Sequence, residues 1–343
     1  MGRGRFDNPV EAALTGLKDL FGRQALAERL TDDLRLEGRT CLVTGASSGL
    51  GLAVATQLAQ RGARVLMACR SGIPERGEQV KAASGNGAVE MLQVDLSDLE
   101  QVHRLADTLR DRGERLDVVV ENAGVAAPRA RRSAQGLEAM FVTNYLAKFL
   151  LLQRLLHDGT LRNQAFAGQE AGAVARVIVI SSDSHQGAAA IDWEDFGRYR
   201  EFGVNGAIHN YSYFKLILNT WATELSRRVN PSVGAVDVSI NVMCPGPVDT
   251  NIVRDAPVLL RGFLRGVFKV FFRSPEVAAR PVILMAASPD FEGSTNRYLH
   301  MFNPKRMDEK CYDGAAGAEL WRRSEALVAS VGCDLASRER KVG

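Results

Sequence analysis

Six short runs of mainly aliphatic and β-branched residues, apolar on both faces, recur from residue 38 onward: Thr40–Thr44, Arg64–Ala68, Val89–Val94, Val118–Val120, Val174–Ile180 and Val238–Met243. Between them lie longer stretches with helical spacing, Gly49–Arg61, Asp98–Arg112, Gly136–Leu156 and Tyr211–Val229. A strand that is apolar on both faces has to be covered on both, and a helix between successive strands returns the chain to the same end of the sheet. The pattern therefore predicts an α/β fold with a single doubly wound parallel sheet and helices on both faces. Ligands of such sheets sit at the carboxyl ends of the strands.

The chain shows no internal repeat and no low-complexity linker, so residues 36–330 are read as one domain. A helical extension over 1–35 precedes it and a tail over 331–343 follows. Within the extension Asn8 can cap a helix, Pro9 suits its first position, and Glu11 sits three residues beyond the cap. Val10, Leu14, Leu17 and Phe21 then form an amphipathic face. That face predicts a helix packed on its own domain, with a dimer contact or attachment to a membrane surface as alternatives.

Composition excludes several classes of function. With 46% hydrophobic and 24% charged residues, the 343-residue chain can bury a sizeable core. Its 43 basic and 40 acidic residues leave a net charge of +3, without the basic stripe that nucleic-acid binding needs. The five cysteines (Cys41, Cys69, Cys244, Cys311, Cys333) are scattered and form no CxxC pair, and the five histidines form no HExxH. The expectation is a metal-free, cytoplasmic protein without a disulfide framework. No signal peptide follows the basic start, Gly2 lacks the serine or threonine of a myristoylation site, and no apolar run is long enough to span a bilayer.

Thr44-Gly45-Ala46-Ser47-Ser48-Gly49-Leu50-Gly51 follows the first strand and opens the first helix. Glycines at 45, 49 and 51 let the backbone turn tightly and approach a pyrophosphate, while the helix start offers N–H groups and the positive end of a dipole. Gly45, Ser47, Ser48, Gly49, Leu50 and Gly51 are the candidate cofactor contacts of a Rossmann-type site. The Gly-x3-Gly-x-Gly spacing resembles that of the short-chain dehydrogenase/reductase family.

The resemblance extends down the chain in order. The second strand ends Cys69-Arg70, with no acidic residue for a ribose 2′-hydroxyl. A guanidinium at Arg70 can pair with a 2′-phosphate, so NADP(H) is the expected cofactor. Asp95 and Leu96 stand where the family binds adenine, and Asn122-Ala123-Gly124 where it lies beside the cofactor ribose. Glu121 departs from the family's more usual asparagine. Pro245-Gly246-Pro247-Val248-Asp249-Thr250 matches the family's Pro-Gly-x-Val-x-Thr, which implicates Pro245, Gly246, Val248 and Thr250 beside the nicotinamide.

Tyr211 and Lys215 lie one helical turn apart on one face. A phenol with its ordinary pKa of about 10 is a poor acid or base near neutrality, and an ammonium at i+4 is expected to lower it. Tyr213 lacks such a partner, because Ile217 occupies its i+4 position. Ser182 ends the fifth strand, where its hydroxyl can hold a substrate oxygen. Asn144 falls in the helix that the family uses for a water-linked relay to the lysine. By resemblance, Tyr211 is the acid/base, Ser182 orients the substrate oxygen, Lys215 supports the phenolate and binds the ribose, and Asn144 connects the lysine to solvent. His185 and His209 are read as hydrogen-bonded loop histidines.

The features Ala68-Cys69-Arg70, Ser184-His185, Ile191-Asp192, Lys215–Asn219 and Leu320–Ser324 resemble the retinol dehydrogenase and protochlorophyllide reductase branch, whose substrates are lipophilic. A basic stretch carrying Phe263, Phe268, Phe271 and Phe272 lies where that family's variable substrate lid sits, about residues 250–275. It reads as a helix packed on its own core, as a lid touching the ligand, or as a peripheral membrane contact. The implied activity is NADP(H)-dependent hydride transfer between nicotinamide and a carbonyl or alcohol, with a homodimer as a further expectation. Two alternatives stand: a C=C reductase of the protochlorophyllide type, and a non-catalytic NADP-binding regulator. No cysteine is evident near Tyr211 in the sequence, which weighs against the pigment-reducing alternative.

Overall fold

The structure is a computed structural model that describes residues 24–169, 173–232, 234–248 and 273–333. The predicted N-terminal helix, Thr250 and the predicted lid stretch of 258–272 lie outside the described residues.

Strands β1 (Thr40–Thr44), β2 (Arg64–Cys69), β3 (Val89–Gln93), β4 (Val118–Glu121), β5 (Ala175–Ile180) and β6 (Val238–Cys244) begin and end within a residue of the predicted runs. With β7 (Tyr298–His300) and β8 (Asn303–Lys305) they form a sheet in the order β3-β2-β1-β4-β5-β6-β7-β8. Every pairing is parallel except β7 with β8. The chain order reverses between β1 and β4, where Cys41 pairs with Val118 and Val43 with Val120. A crevice opens at the carboxyl ends of strands where such a reversal occurs.

The helices cover both faces. Helix α1 (Gly49–Gln60), α2 (Glu75–Ser84) and α6 (Pro275–Ala287) pack on one side; α3 (Leu99–Asp111), α4 (Ala139–His157), α5 (Val204–Val229) and α7 (Gly314–Ser330) pack on the other. Helix α3 illustrates why. Asp98 caps it by accepting from the Glu100 N–H at 3.0 Å, and Leu99, Val102, Leu105, Ala106 and Leu109 recur on one buried face. Each of the leucine and valine side chains contributes about 1.5–3 kcal/mol through burial.

Some elements depart from the sequence pattern. Helix α4 begins at Ala139 rather than Gly136, because Gly136 holds φ +78° and Glu138 forms the cap. It then runs as α-helix Ala139–Phe141, a π turn Val142–Leu146 and α-helix Ala147–His157. Helix α5 starts at Val204 rather than Tyr211, its first turns hidden from the periodicity by the exposed Val204 and Ile208. Helix α6 is apolar nearly all round and has no stripe to detect, while β7 and β8 are three residues each.

The described part of the N-terminal segment packs on its own domain. The Leu26 N–H donates to Phe302 O at 3.1 Å, Arg29 pairs with Asp290 at 2.6 Å, and Leu26, Leu30 and Leu34 pack against the core. At the other end Cys333 is buried, and its carbonyl accepts from His103 Nε2 at 2.7 Å. Packing thus reaches into the stretch read as a tail.

Candidate active site

Strand β1 ends at Thr44 and the chain turns at Gly45, whose φ of +66° favours glycine. A side chain there would begin 2.9 Å from Ala123 Cα, and one at Gly51 would collide with Gly45 O and the Asn122 amide. The Asn122 Nδ2 donates to Thr44 O at 2.9 Å, and the Ala123 N–H donates to Thr44 Oγ1 at 3.1 Å. The start of α1 therefore lies tight against the ends of β1 and β4. Ser48, the residue before α1, is exposed and places no side-chain oxygen on the first-turn N–H groups. Those donors and the helix dipole remain available to an anion. The cradle and donor set fit a dinucleotide pyrophosphate.

At the end of β2, Arg70 is exposed and its guanidinium lies 3.7 Å from Asp95 Oδ2. Asp95 Oδ1 in turn accepts from the Ser97 N–H and hydroxyl at 2.9 and 2.7 Å. Leu96 is buried beside them. A second arginine, missed in the sequence, reaches the same corner: a side chain on Gly72 would meet both Arg76 Cγ and Ser47 Cβ. The intervening turn brings Arg76 back toward the phosphate loop.

On the other side of the switch point, Lys215 Nζ donates to Ile180 O at 3.0 Å, at the end of β5. The Tyr211 phenol stands close enough to the Ser182 hydroxyl for that group to lower its pKa, and Lys215 Nζ lies 5.5 Å from the Tyr211 ring centre. Asn144 sits in the π turn of α4, its Oδ1 accepting from the Val125 N–H at 2.8 Å and its Nδ2 donating to Val125 O at 2.9 Å. Such turns open a helix locally and recur at functional sites. Tyr213 points elsewhere, its hydroxyl accepting from the Asp192 N–H at 3.1 Å.

The electrostatics differ from the expectation that Lys215 lowers the Tyr211 pKa. Burial pushes the Tyr211 phenol up to about 12, with Cys244 adding to the rise and the Ser182 hydrogen bond opposing it. Burial also pushes the Lys215 ammonium down to about 7, helped by the Lys148 cation. Desolvation of both groups outweighs their mutual effect, because the ammonium is docked on a carbonyl and is itself poorly charged near neutrality.

His185 is a buried bracket. Its Nδ1 donates to Ser182 O at 2.7 Å, its Nε2 accepts from the Asp308 N–H at 3.2 Å, and burial lowers its pKa. His209 is exposed on the first turns of α5. Pro245 and Gly246, with φ +74° at the glycine, follow β6, and Val248 bridges to Arg273.

The fold also brings in residues that linear reading missed. Cys244, the last residue of β6, lies near enough to Tyr211 to raise its pKa and accepts the Asp183 N–H at 3.2 Å. This corrects the expectation of no cysteine near Tyr211 and removes that argument against pigment-type reduction. Burial works against the charged form of His300, but a hydrogen bond to Cys244 raises its pKa to about 9. Beneath the site, Glu121 and Lys148 are both buried, with Lys148 Nζ donating to Glu121 O at 2.9 Å. No sequence signal pairs these residues, because one is on a strand and the other on a helix.

A doubly wound sheet with a glycine cradle and a Ser–Tyr–Lys cluster at one edge of its switch point defines a nucleotide-dependent oxidoreductase class. The family model described as short chain dehydrogenase matches residues 39–190. Retinol dehydrogenase 14 of Mus musculus is 32% identical over 307 residues, covering 85% of this chain and 86% of that protein. Polyprenol dehydrogenase of Danio rerio is 29% identical over 308 residues, covering 88% of this chain and 90% of that protein. A crystal structure of an uncharacterized protein from Mycobacterium paratuberculosis superposes with a TM-score of 0.65 at 27% identity, over 86% of this chain and 95% of that one. The chain belongs to the short-chain dehydrogenase/reductase family, in its retinol dehydrogenase-like branch. That family acts on alcohols and carbonyls with a nicotinamide cofactor.

Proposed function

We propose that this protein is an NADP(H)-dependent oxidoreductase that moves a hydride between nicotinamide and a carbonyl or a primary or secondary alcohol of a lipophilic substrate. The observation that carries the reading is the meeting of Ser182, Tyr211 and Lys215 at the end of β5, across the switch point from the glycine cradle. When bound, the nicotinamide supplies or accepts the hydride.

The chain supplies position and the proton. The Ser182 hydroxyl holds the substrate oxygen, and its main chain is fixed by His185. The Tyr211 hydroxyl, kept protonated by burial, delivers its proton to that oxygen in the reductive direction. Lys215 stabilises the resulting phenolate and binds the ribose hydroxyls, and Asn144 connects the lysine to solvent. Arg70 and Arg76 offer two guanidinium groups to a 2′-phosphate, with no carboxylate on β2's last residue to repel it. Exposed Val204 and Ile208, two turns and one turn before Tyr211 on α5, and exposed Val125 beside Gly124 supply an apolar rim. Retinol and polyprenol, in the names of the relatives, are both lipophilic alcohols. The enzyme is read as cytoplasmic.

Titration with NADPH and then NADH, followed by nicotinamide fluorescence, tests the reading. NADPH binding at least about tenfold tighter, or about 1.4 kcal/mol, is expected. Binding of neither cofactor sinks it. Product analysis with long-chain aldehydes and conjugated enones then separates C=O from C=C reduction, because both reactions use the same tyrosine and lysine.

A further inference from the structure

Two ammonium groups are stationed on neighbouring strand ends. Lys215 Nζ donates to Ile180 O at 3.0 Å, and Lys148 Nζ donates to Glu121 O at 2.9 Å. Glu121 is in register with Val179, the residue before Ile180, so the two carbonyls are one strand and one residue apart. Adjacent strands are separated by only about 4.8 Å. Lys148 reaches this place from α4, one turn after Asn144, and its side chain is fully buried.

The anion facing Lys148 is Glu121, with Oε2 at 3.7 Å from Nζ and both side chains at 0% exposure. Thr44 Oγ1 donates to Glu121 Oε2 at 3.1 Å, while Oε1 has no hydrogen-bond partner among the described residues. Burial raises the Glu121 pKa and lowers that of Lys148, and each opposes the shift of the other. A buried pair with an unsatisfied oxygen is a poor way to gain stability, since well-packed apolar residues at such sites are often neutral or better. Its location therefore calls for another explanation.

We propose that Glu121 and Lys148 are positioning residues of the catalytic centre: Glu121 anchors the charge of Lys148, and Lys148 sets through space how readily Lys215 holds its proton. The inference rests on the oxidoreductase reading and extends it to residues that touch neither cofactor nor substrate. The groups facing Lys215 are Lys148 from α4, Cys244 from β6, Ile180 O from β5, and Tyr211 and Asn144 at its flanks. Of these, Lys148 works against the Lys215 ammonium and Cys244 works for it. Lys148 thus keeps Lys215 able to exchange a proton near neutrality, where burial alone would leave it easier to protonate.

The test uses cofactor affinity rather than turnover. A lysine that binds ribose hydroxyls as an ammonium makes affinity fall as pH rises through its free-protein pKa. For the wild type the break is expected near pH 7. NADPH affinity, with NADH as a second probe, is measured by nicotinamide fluorescence from about pH 5.5 to 9.5. The variants are Lys148→Met and the double variant Glu121→Gln/Lys148→Met; the latter leaves no uncompensated buried carboxylate and keeps the test open if the single variant does not fold. Removing the cation is expected to move the break to higher pH by about one unit in the double variant. A break at the same pH in wild type and double variant, or no break in the wild type, overturns the inference while leaving the enzyme reading intact. A pair that only supports the fold would lower affinity alike at every pH. Failure of the wild type to bind either cofactor takes down the enzyme reading and the inference with it.

Discussion

Asn144 Oδ1 and Lys215 Nζ lie 3.4 and 3.8 Å from the point where a side chain on Gly124 would begin. Gly124 thus keeps open the space that the amide of one residue and the ammonium of the other share. A methyl group there makes ordinary contacts at the near edge of tolerance, so Gly124→Ala is expected to cost less than about 1 kcal/mol of stability. It fills the volume through which lysine, amide and ribose would meet, and turnover is expected to fall at least about tenfold, about 1.4 kcal/mol in the barrier. Thermal melts and steady-state rates on the same preparation check this; an unchanged rate would remove Gly124 from the site.

Tyr211→Phe separates proton transfer from binding. The phenol neighbours the Ser182 hydroxyl, and the phenylalanine ring keeps the packing of α5. General acid catalysis contributes about 10²–10⁴-fold, so turnover should fall by about that factor. NADPH affinity, measured by fluorescence, should stay within about threefold, about 0.6 kcal/mol. Normal turnover in this variant would exclude Tyr211 as the acid.

The parts of this site that the sequence made legible are those whose geometry is local. Gly45 to Gly51 form a single turn between strand and helix, and Tyr211 and Lys215 share a helix face, so spacing along the chain already encodes spacing in space. Ser182 was placed because a strand end is a fixed location in a parallel sheet. Cys244 and His300 were invisible because they meet through the pairing of β6 with β7, and β7 is three residues long. Glu121 was noticed as a departure, but its partner Lys148 lies in the apolar run Ala147–Leu156, where a single lysine reads as a solvated interruption. The direction of the Tyr211 shift is not legible in the sequence for a related reason: charge proximity follows from i+4 spacing, whereas desolvation depends on everything packed around the pair.

Arg70 and Arg76 should contribute unequally to cofactor choice. Arg70 is 71% exposed on its side chain and, among the described residues, is held by a 3.7 Å contact to Asp95, so its guanidinium can turn toward a 2′-phosphate. Arg76 Nη1 already donates to Gln79 Oε1 at 2.6 Å. Arg70→Ala is expected to weaken NADPH about tenfold, about 1.4 kcal/mol, and to leave NADH nearly unchanged; Arg76→Ala should have the smaller effect. Competitive fluorescence titration of both cofactors against both variants provides the comparison, and equal loss of NADPH and NADH affinity in Arg70→Ala would contradict a 2′-phosphate contact.

The depressed pKa of Lys215 carries a pH signature in the cofactor-free protein. Its ammonium titrates at about 7 in the fold, against an ordinary lysine value of 10.5. Between those values the unfolded chain binds the extra proton, so this group's contribution to stability rises with pH across that window and is most unfavourable below pH 7. Lys215→Met removes the contribution while keeping the length of an unbranched side chain. The variant should therefore gain melting temperature over wild type by a larger margin at about pH 6 than at about pH 9, with the two curves converging as pH rises. Differential scanning fluorimetry across that range measures the margin directly. A margin independent of pH would mean that Lys215 keeps an ordinary lysine pKa in the fold, and that the buried cluster around it does not hold its proton weakly.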